Sequence, residues 1–443
     1  MSEIGQTPVS AKQGWYNLLS KVRGECQFLN SASLVGVRAI SGLARIGILL
    51  TIARAYGPES FGKLSLAVSM VEILRTFSDF GIDTISIRRF AHTMPTRRAE
   101  LLESILGAKL LLSACFYSLA TGVLFLLADD HFEVLLGLVA GLSLFFSGAL
   151  GAFSSYLQSF FSMSRILRTS LLSSAASVVF ASIAIYSNTS LLFVIVALPL
   201  ADALNLVLFC STSELRFRGR FDPRETFSLL RESFPVGITS ALVILYFRLD
   251  TLFVFKFAGA AALGLYAACF RIIEPALMIS HSFSTTAYTV LSGAERSNGS
   301  VSDVIRTVLR IMWPAYGLLA GFAVIALLAG KIFLARFLPM YLSAYPIMAI
   351  LSITLLVRSL NMGLTAIFNS RAMYSTVTRI AAINLGLNLA LVLLLAQKYG
   401  AVGAAWAALL TESVNTLIQG RSLASVLRVP KSRLVMDNAK LEG

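Results

Sequence analysis

From Leu34 to Leu427 the chain is a succession of mostly apolar stretches, each about 20 residues long and separated from the next by a short polar break. A stretch of that length crosses a bilayer as a helix. In hydrocarbon every backbone N–H and C=O must be satisfied inside the protein, so such a chain folds as a bundle of spanning helices. With 56% hydrophobic and only 14% charged residues, and a mean hydropathy of +0.77, no conventional water-soluble domain is expected beside the bundle.

Apolar runs between charge-bearing breaks predict twelve helices, near residues 31–53, 64–87, 104–127, 134–157, 169–187, 191–212, 233–255, 263–286, 311–334, 343–368, 377–396 and 401–424. Lys and Arg counted in the breaks set the orientation. The side holding both termini carries 24 and the other only six, so both termini are expected in the cytoplasm. Residues 1–30 lack an apolar core followed by a small-residue cleavage site, and no removed signal peptide is expected. Within them Trp15, Leu18, Leu19 and Val22 keep helical spacing beside Lys12, Lys21 and Arg23, as an amphipathic segment on the inner leaflet would; a disordered basic lead-in is the alternative.

The basic linker 214–232 divides the chain into a six-helix half at 31–213 and another at 233–427, followed by a tail at 428–443. At an offset of 202 residues, Gly57 aligns with Gly259, Gly62 with Gly264, Arg54 with Lys256 and Glu72 with Glu274. All four matches fall on the first hairpin and second helix of each half. Two halves of like orientation imply a pseudo-twofold axis along the membrane normal and a central cavity between them. The expected fold class is an all-α polytopic membrane protein with twelve transmembrane helices in two pseudo-symmetric halves.

Fourteen charges lie inside the apolar stretches: Arg38, Arg45, Arg75, Lys109, Arg248, Arg271 and Arg358 against Glu72, Asp79, Asp83, Asp202, Asp250, Glu274 and Glu412. Exposed to lipid, they would cost up to about 40 kcal/mol together, at roughly 3 kcal/mol each. They must therefore face one another or a wet cavity, which points to transport. Arg75 and Arg271 each stand three residues from a glutamate of their own helix, a spacing that allows an internal ion pair. Arg38, Arg45 and Arg248 have no such neighbour and are the leading anion-ligand candidates, with Arg271 and Arg358 as further ones, because a guanidinium fork suits a phosphate-bearing group. For each arginine the alternative is a carboxylate partner that only holds helices together.

Glu72, Asp79, Asp83, Asp250, Glu274 and His281 are the candidates for ion coupling or gating, since intramembrane carboxylates and imidazoles bind protons or cations. Hydrogen-bonding faces are also offered by Asn361 with Thr365 and Asn369, by Asn384 with Asn388, and by Glu412 with Asn415 and Gln419. Tyr246, Tyr266 and Tyr288 could stack on sugar rings.

The net charge of +14 is explained by topology rather than by nucleic-acid binding. Cys26, Cys115, Cys210 and Cys269 have no metal-ligand or redox spacing. No catalytic triad, phosphate-cradling glycine loop or metal cluster stands out, so the chain is expected to be no enzyme and to carry no cofactor. Energy for uphill transport would then come from an ion gradient or another protein.

The first hairpin, Ile52-Ala53-Arg54-Ala55-Tyr56-Gly57-Pro58-Glu59-Ser60-Phe61-Gly62-Lys63, followed by Phe77-Ser78-Asp79-Phe80-Gly81-Ile82-Asp83, resembles the start of bacterial polysaccharide-export flippases of the multidrug/oligosaccharidyl-lipid/polysaccharide exporter superfamily. Phe234-Pro235, Arg248-Leu249-Asp250 and Gly264-Leu265-Tyr266-Ala267-Ala268 with Arg271 and Glu274 are similar to that family's seventh and eighth helices. The resemblance implies translocation of an undecaprenyl-pyrophosphate-linked oligosaccharide, an O-antigen or exopolysaccharide repeat unit, from the inner to the outer leaflet of the bacterial cytoplasmic membrane. It implies alternating access, proton or sodium coupling, and as partners the membrane lipids, a glycan polymerase and a chain-length regulator. Lipid II flippases are similar too but typically carry two further C-terminal helices. A cation-coupled multidrug antiporter of the same superfamily, a membrane-embedded glycan polymerase or ligase, and a structural partner of an export complex are the alternatives.

Overall fold

The structure, a computed structural model, describes residues 47–127, 131–160, 163–187, 190–212, 222–294, 301–371 and 373–426. In chain order the helices are α1 (47–79), α2 (Ile82–His92), α3 (Arg98–Leu127), α4 (His131–Gly141), α5 (Ser143–Ser159), α6 (Met163–Tyr186), α7 (Leu191–Thr212), α8 (Pro223–Ala294), α9 (Val301–Phe337), α10 (Tyr345–Ser370) and α11 (Tyr374–Val426). The described residues contain no strand. Eight stretches among them are long and apolar enough to cross a membrane. The protein is thus an all-α, multi-pass membrane protein.

Two of these stretches are far longer than one crossing. The 66 residues Pro223–Tyr288 would measure about 100 Å as a straight helix against a hydrocarbon core of about 30 Å. Gly259 resolves the excess by leaving helical geometry, with φ 82° and ψ 177°. The hydroxyl of Tyr266 then donates to the carboxylate of Asp250, a pair that a straight helix would hold about 24 Å apart. In α11 Gly400, at φ 57°, likewise turns the chain back, so that Asn388 Nδ2 donates to Thr411 Oγ1 at 3.5 Å. Each of α8 and α11 is therefore a hairpin of two arms. The predicted count of twelve rests partly on residues 31–46, which lie outside the described residues, as does the amphipathic segment at the N-terminus. Helix α8 already begins at Pro223, so the second part of the expected linker is helical.

The internal repeat has a direct physical expression. Gly57 and Gly259 both take left-handed backbone, at φ 77° and 82°, which glycine alone adopts freely. Gly62 abuts the carbonyl of Ala260, and Gly264 abuts the carbonyl of Pro58. At an offset of 202 these two contacts are the same contact exchanged between the halves, as a pseudo-twofold axis requires. Small residues allow backbones to approach closely where lipid supplies no hydrophobic drive. The turn Pro339–Ala344 seals this end: the fully buried Tyr341 donates to the carbonyl of Ala53 at 3.1 Å and meets Phe61 edge to face.

At the opposite end the halves meet again. The break between α1 and α2 places Phe80 at φ 42° and Gly81 at φ 79°, packed against Val236 and Gly237 at the start of α8. Phe80 meets Phe234 at 5.8 Å, and Arg88 and Arg89 both ion-pair with Glu232. A bulky residue at positive φ is strained, and here the facing helix over-determines it.

Candidate functional site

Among the described residues, every intramembrane charge except Asp250 is drawn into an ion-paired group. Where α1 meets the two arms of α8, Arg248 Nε lies 2.6 Å from Glu72 and its Nη2 3.4 Å from Glu274. Arg271 closes the ring, 2.9 Å from Glu274 and 3.7 Å from Glu72. Two guanidiniums and two carboxylates alternate, so the ring is neutral, and it ties the halves together. The repeat-related Glu72 and Glu274 do face one another, with both arginines supplied by the C-terminal half. Arg248, free within its own helix, is paired here across halves, and Arg271 makes the internal pair its spacing allowed.

A second group lies in the N-terminal half. Lys109, 1% exposed, reaches Asp79 at 2.7 Å and Asp83 at 2.5 Å, and Ser155 donates to Asp83 at 2.9 Å. Gly151 makes room: a Cβ there would sit 2.4 Å from Lys109 Nζ. One lysine against two carboxylates leaves the group formally one negative charge in excess. Arg75 pairs with Asp202 of α7 at 2.6 Å, not with Glu72 as expected, because Glu72 is drawn into the ring.

The third group lines the C-terminal half. Arg358 Nε bonds Glu412 at 2.6 Å, and the same carboxylate accepts from Tyr246 at 2.7 Å and from Asn361 at 2.7 Å. The Arg358 guanidinium lies over Phe247 at 4.9 Å, a favourable cation–π position. Gln419 extends this wall by donating to Asn415 at 2.9 Å. Between this group and the ring sits Asp250, bonded by Tyr266 and by the Thr251 backbone N–H at 2.7 Å and bordering two small voids of about 20 and 10 Å³. Polar side chains thus run almost without interruption from Glu412 to Glu72.

Below Arg358 and Glu412 opens a cavity of about 1270 Å³. Among the described residues its walls come from α8, α10 and α11 alone, not from a central cleft between the halves. Lining residues such as Pro235, Tyr288, Asn369 and Ser375 stand many turns from Gly259 and Gly400, so the cavity faces the end that carries the basic breaks. Its charged side chains are Arg358, Arg379 and Glu412, two positive against one negative. The remainder of its polar lining is amide, hydroxyl and His281, which is exposed in the wall. Arg38 and Arg45 lie outside the described residues.

Arg379 escaped the sequence reading because it falls in a break and counted only as a topological charge. Its signal was its place at the head of a helix whose next turns carry Asn384 and Asn388. Among the described residues no three His, Cys, Asp or Glu side chains converge as a metal site.

This architecture of hairpins, pseudo-twofold halves and buried charge networks defines a helical membrane protein with the fold of exporter-type transporters. The family described as "Polysaccharide biosynthesis protein" matches residues 29–294, more than half of the chain, and the chain belongs to that family. Among solved structures it is similar to the lipid II flippase MurJ in an inward closed conformation, with a TM-score of 0.75 at 14% identity over 91% of this chain and 88% of that one. It is also similar to an inward-facing multidrug resistance MATE family transporter of the MOP superfamily, with a TM-score of 0.68 at 15% identity over 88% and 95%. A third similar structure is a MOP superfamily transporter from Pyrococcus furiosus whose binding pocket is described as reversed in polarity, with a TM-score of 0.60 at 14% identity over 90% and 96%. At such identities the likeness is one of fold. No curated protein matches the sequence.

Proposed function

We propose that the protein is a flippase that carries an undecaprenyl-pyrophosphate-linked oligosaccharide, an O-antigen or exopolysaccharide repeat unit, from the inner to the outer leaflet of the bacterial cytoplasmic membrane. The observation that carries this reading is the charge of the cavity. An exporter of organic cations needs a net acidic pocket, and this one holds two arginines, one glutamate and a wall of amides and hydroxyls. Membership of the polysaccharide biosynthesis family supports the same substrate class. The sugars and diphosphate occupy the cavity while the prenyl tail stays in lipid. Both termini are cytoplasmic, and the cavity faces that side.

Alternating access then requires the contact at the glycine hairpins to open, and the Glu72–Arg248–Glu274–Arg271 ring is the gate. A neutral ring costs little to hold together, and when the halves part it loses the two ion pairs that Glu72 makes to Arg248 and Arg271. Coupling ions act on the Lys109–Asp79–Asp83 group and on Asp250, which the gate and cavity flank. Proton or sodium binding there supplies the driving force.

Reconstituted into proteoliposomes with an undecaprenyl-pyrophosphate oligosaccharide, the protein is expected to expose the glycan to an external glycan-cleaving enzyme, faster under a proton or sodium gradient. Absence of movement under any gradient, together with binding of organic cations, would replace this reading with drug antiport. The gate has its own test. In a background with Cys26, Cys115, Cys210 and Cys269 changed to alanine, Ser69→Cys reports behind the ring, where the native serine is buried. Glu72→Gln is expected to raise its labelling by a membrane-impermeant thiol reagent by roughly tenfold, within the usual span of coupling energies. Unchanged labelling would remove the ring from the gate.

A further inference from the structure

The wall of the large cavity is unevenly spent. Asn361 uses its whole amide, donating to the carbonyl and carboxylate of Glu412 at 3.0 and 2.7 Å and accepting from Thr416 at 2.7 Å. Gln419 is occupied by Asn415 and by Thr365, at 2.9 and 3.4 Å. Arg358 and Glu412 neutralise one another. Asn384 differs: it lines the cavity, is 5% exposed, and its Oδ1 has no hydrogen-bond partner among the described residues. A buried carbonyl oxygen left unpaired is costly, and such groups are normally satisfied. What it requires is a donor.

That requirement separates the two ends of a lipid-linked sugar. A diphosphate is all acceptors and gains nothing at the Asn384 Oδ1, whereas every sugar hydroxyl can donate to it. Arg379 has the opposite preference. It lies five residues earlier on α11, about 7.5 Å nearer the end of the arm, is exposed in the same cavity and has no carboxylate partner among the described residues. The volume of about 1270 Å³ exceeds the 300–1,000 Å³ typical of pockets for one drug-sized molecule, so it has room for more than a single ring.

We infer that the deep part of the cavity of the C-terminal half is a saccharide subsite for uncharged sugar units, with Asn384 as a specificity-determining hydrogen-bond acceptor and the diphosphate held at the cavity's mouth by Arg379. This rests on the lipid-linked oligosaccharide reading and assigns the parts of that substrate to different residues. Sugar enters first and deepest, and the charged linkage stays at the mouth beside the headgroups. A glycan carrying a carboxylate on the unit that meets Asn384 is a poor substrate.

The test uses the full chain in lipid nanodiscs and two probes. One is the phosphate-free oligosaccharide released by mild acid from the lipid-linked sugar pool of the native membranes; the other is inorganic pyrophosphate. Calorimetric titration is expected to show oligosaccharide binding that Asn384→Leu weakens about tenfold or more, the loss of one hydrogen bond in a dry site, with pyrophosphate binding unchanged. Arg379→Ala should do the reverse. Ala381→Trp fills the cavity without removing a polar group and should also block the sugar, so the result does not hang on the folding of one variant. Oligosaccharide binding that survives both Asn384→Leu and Ala381→Trp would overturn the inference, as would pyrophosphate competing with the sugar. Intact lipid-linked sugar binding while the released sugar does not would sink this inference and leave the flippase reading standing. If neither binds and organic cations do, the flippase reading itself falls.

Discussion

Arg358→Ala and Glu412→Ala are each expected to destabilise the protein by about 3–5 kcal/mol, the cost of leaving one buried charge without its partner. The pair is 9% and 2% exposed, and the Glu412 carboxylate accepts from Arg358 Nε, Tyr246 and Asn361, so removing either member leaves a largely buried charge behind. Removing the arginine strands Glu412 with only the neutral donors Tyr246 and Asn361; removing the glutamate strands a guanidinium over Phe247. Replacing both, as Arg358→Met with Glu412→Leu, should recover most of the loss, because a buried pair earns back little more than its own desolvation. Thermal unfolding of the purified variants in one detergent measures this directly. Single variants within about 1 kcal/mol of wild type would mean that the pair is wet. The double variant separates stability from transport: a folded protein that no longer moves substrate would show that the roof of the cavity needs its polarity.

This pair illustrates what sequence spacing can and cannot reveal. Helical periodicity identifies residues on one face of one helix, and it correctly allowed Arg271 to meet Glu274 three residues on. It says nothing of partners on other helices. Arg75 finds Asp202 at 127 residues' distance, and Arg358 finds Glu412 at 54. Arg248 looked free for the same reason, yet Glu72 of the other half holds it. The fold was more legible, because glycines at fixed offset report backbone geometry that no other residue supplies cheaply. Gly57 and Gly259 stood out at an offset of 202 and both prove to be left-handed turns. The location of the cavity was not legible. It depends on how α8, α10 and α11 splay, and that is set by side-chain volumes summed over many contacts. Asn384 and Asn388 read as a hydrogen-bonding face, but only three-dimensional packing shows that Asn388 Nδ2 reaches Thr411, that the Oδ1 of both is left without a partner among the described residues, and that Asn384 is the one lining the large cavity.

Gly62→Ala and Gly264→Ala are expected to part the two first hairpins and with them the gate. A Cβ at either position would lie 1.8 Å from a facing carbonyl oxygen, that of Ala260 or of Pro58, and that atom is backbone, which cannot swing aside. Restoring an ordinary contact of 3.4 Å needs a shift of 1.6 Å, the difference between the two distances. The ring about three turns away is held by ion pairs of 2.6–3.7 Å, so a shift of that size in its supporting helices breaks the longer ones outright. Overpacking of this kind costs roughly 1–3 kcal/mol. The loss here should lie at the upper end, with Ser69→Cys becoming labelled as it does in Glu72→Gln. Gly317→Ala is the control, since nothing lies within 4 Å of a Cβ there. The double variant should cost less than the sum of the singles, because the first methyl already opens the contact that the second would have strained. Additive losses would mean that the two glycines act on separate contacts and that the pseudo-twofold exchange between Pro58 and Ala260 does not operate as one joint. Wild-type stability and labelling in both singles would place the working resting state with its hairpins already apart.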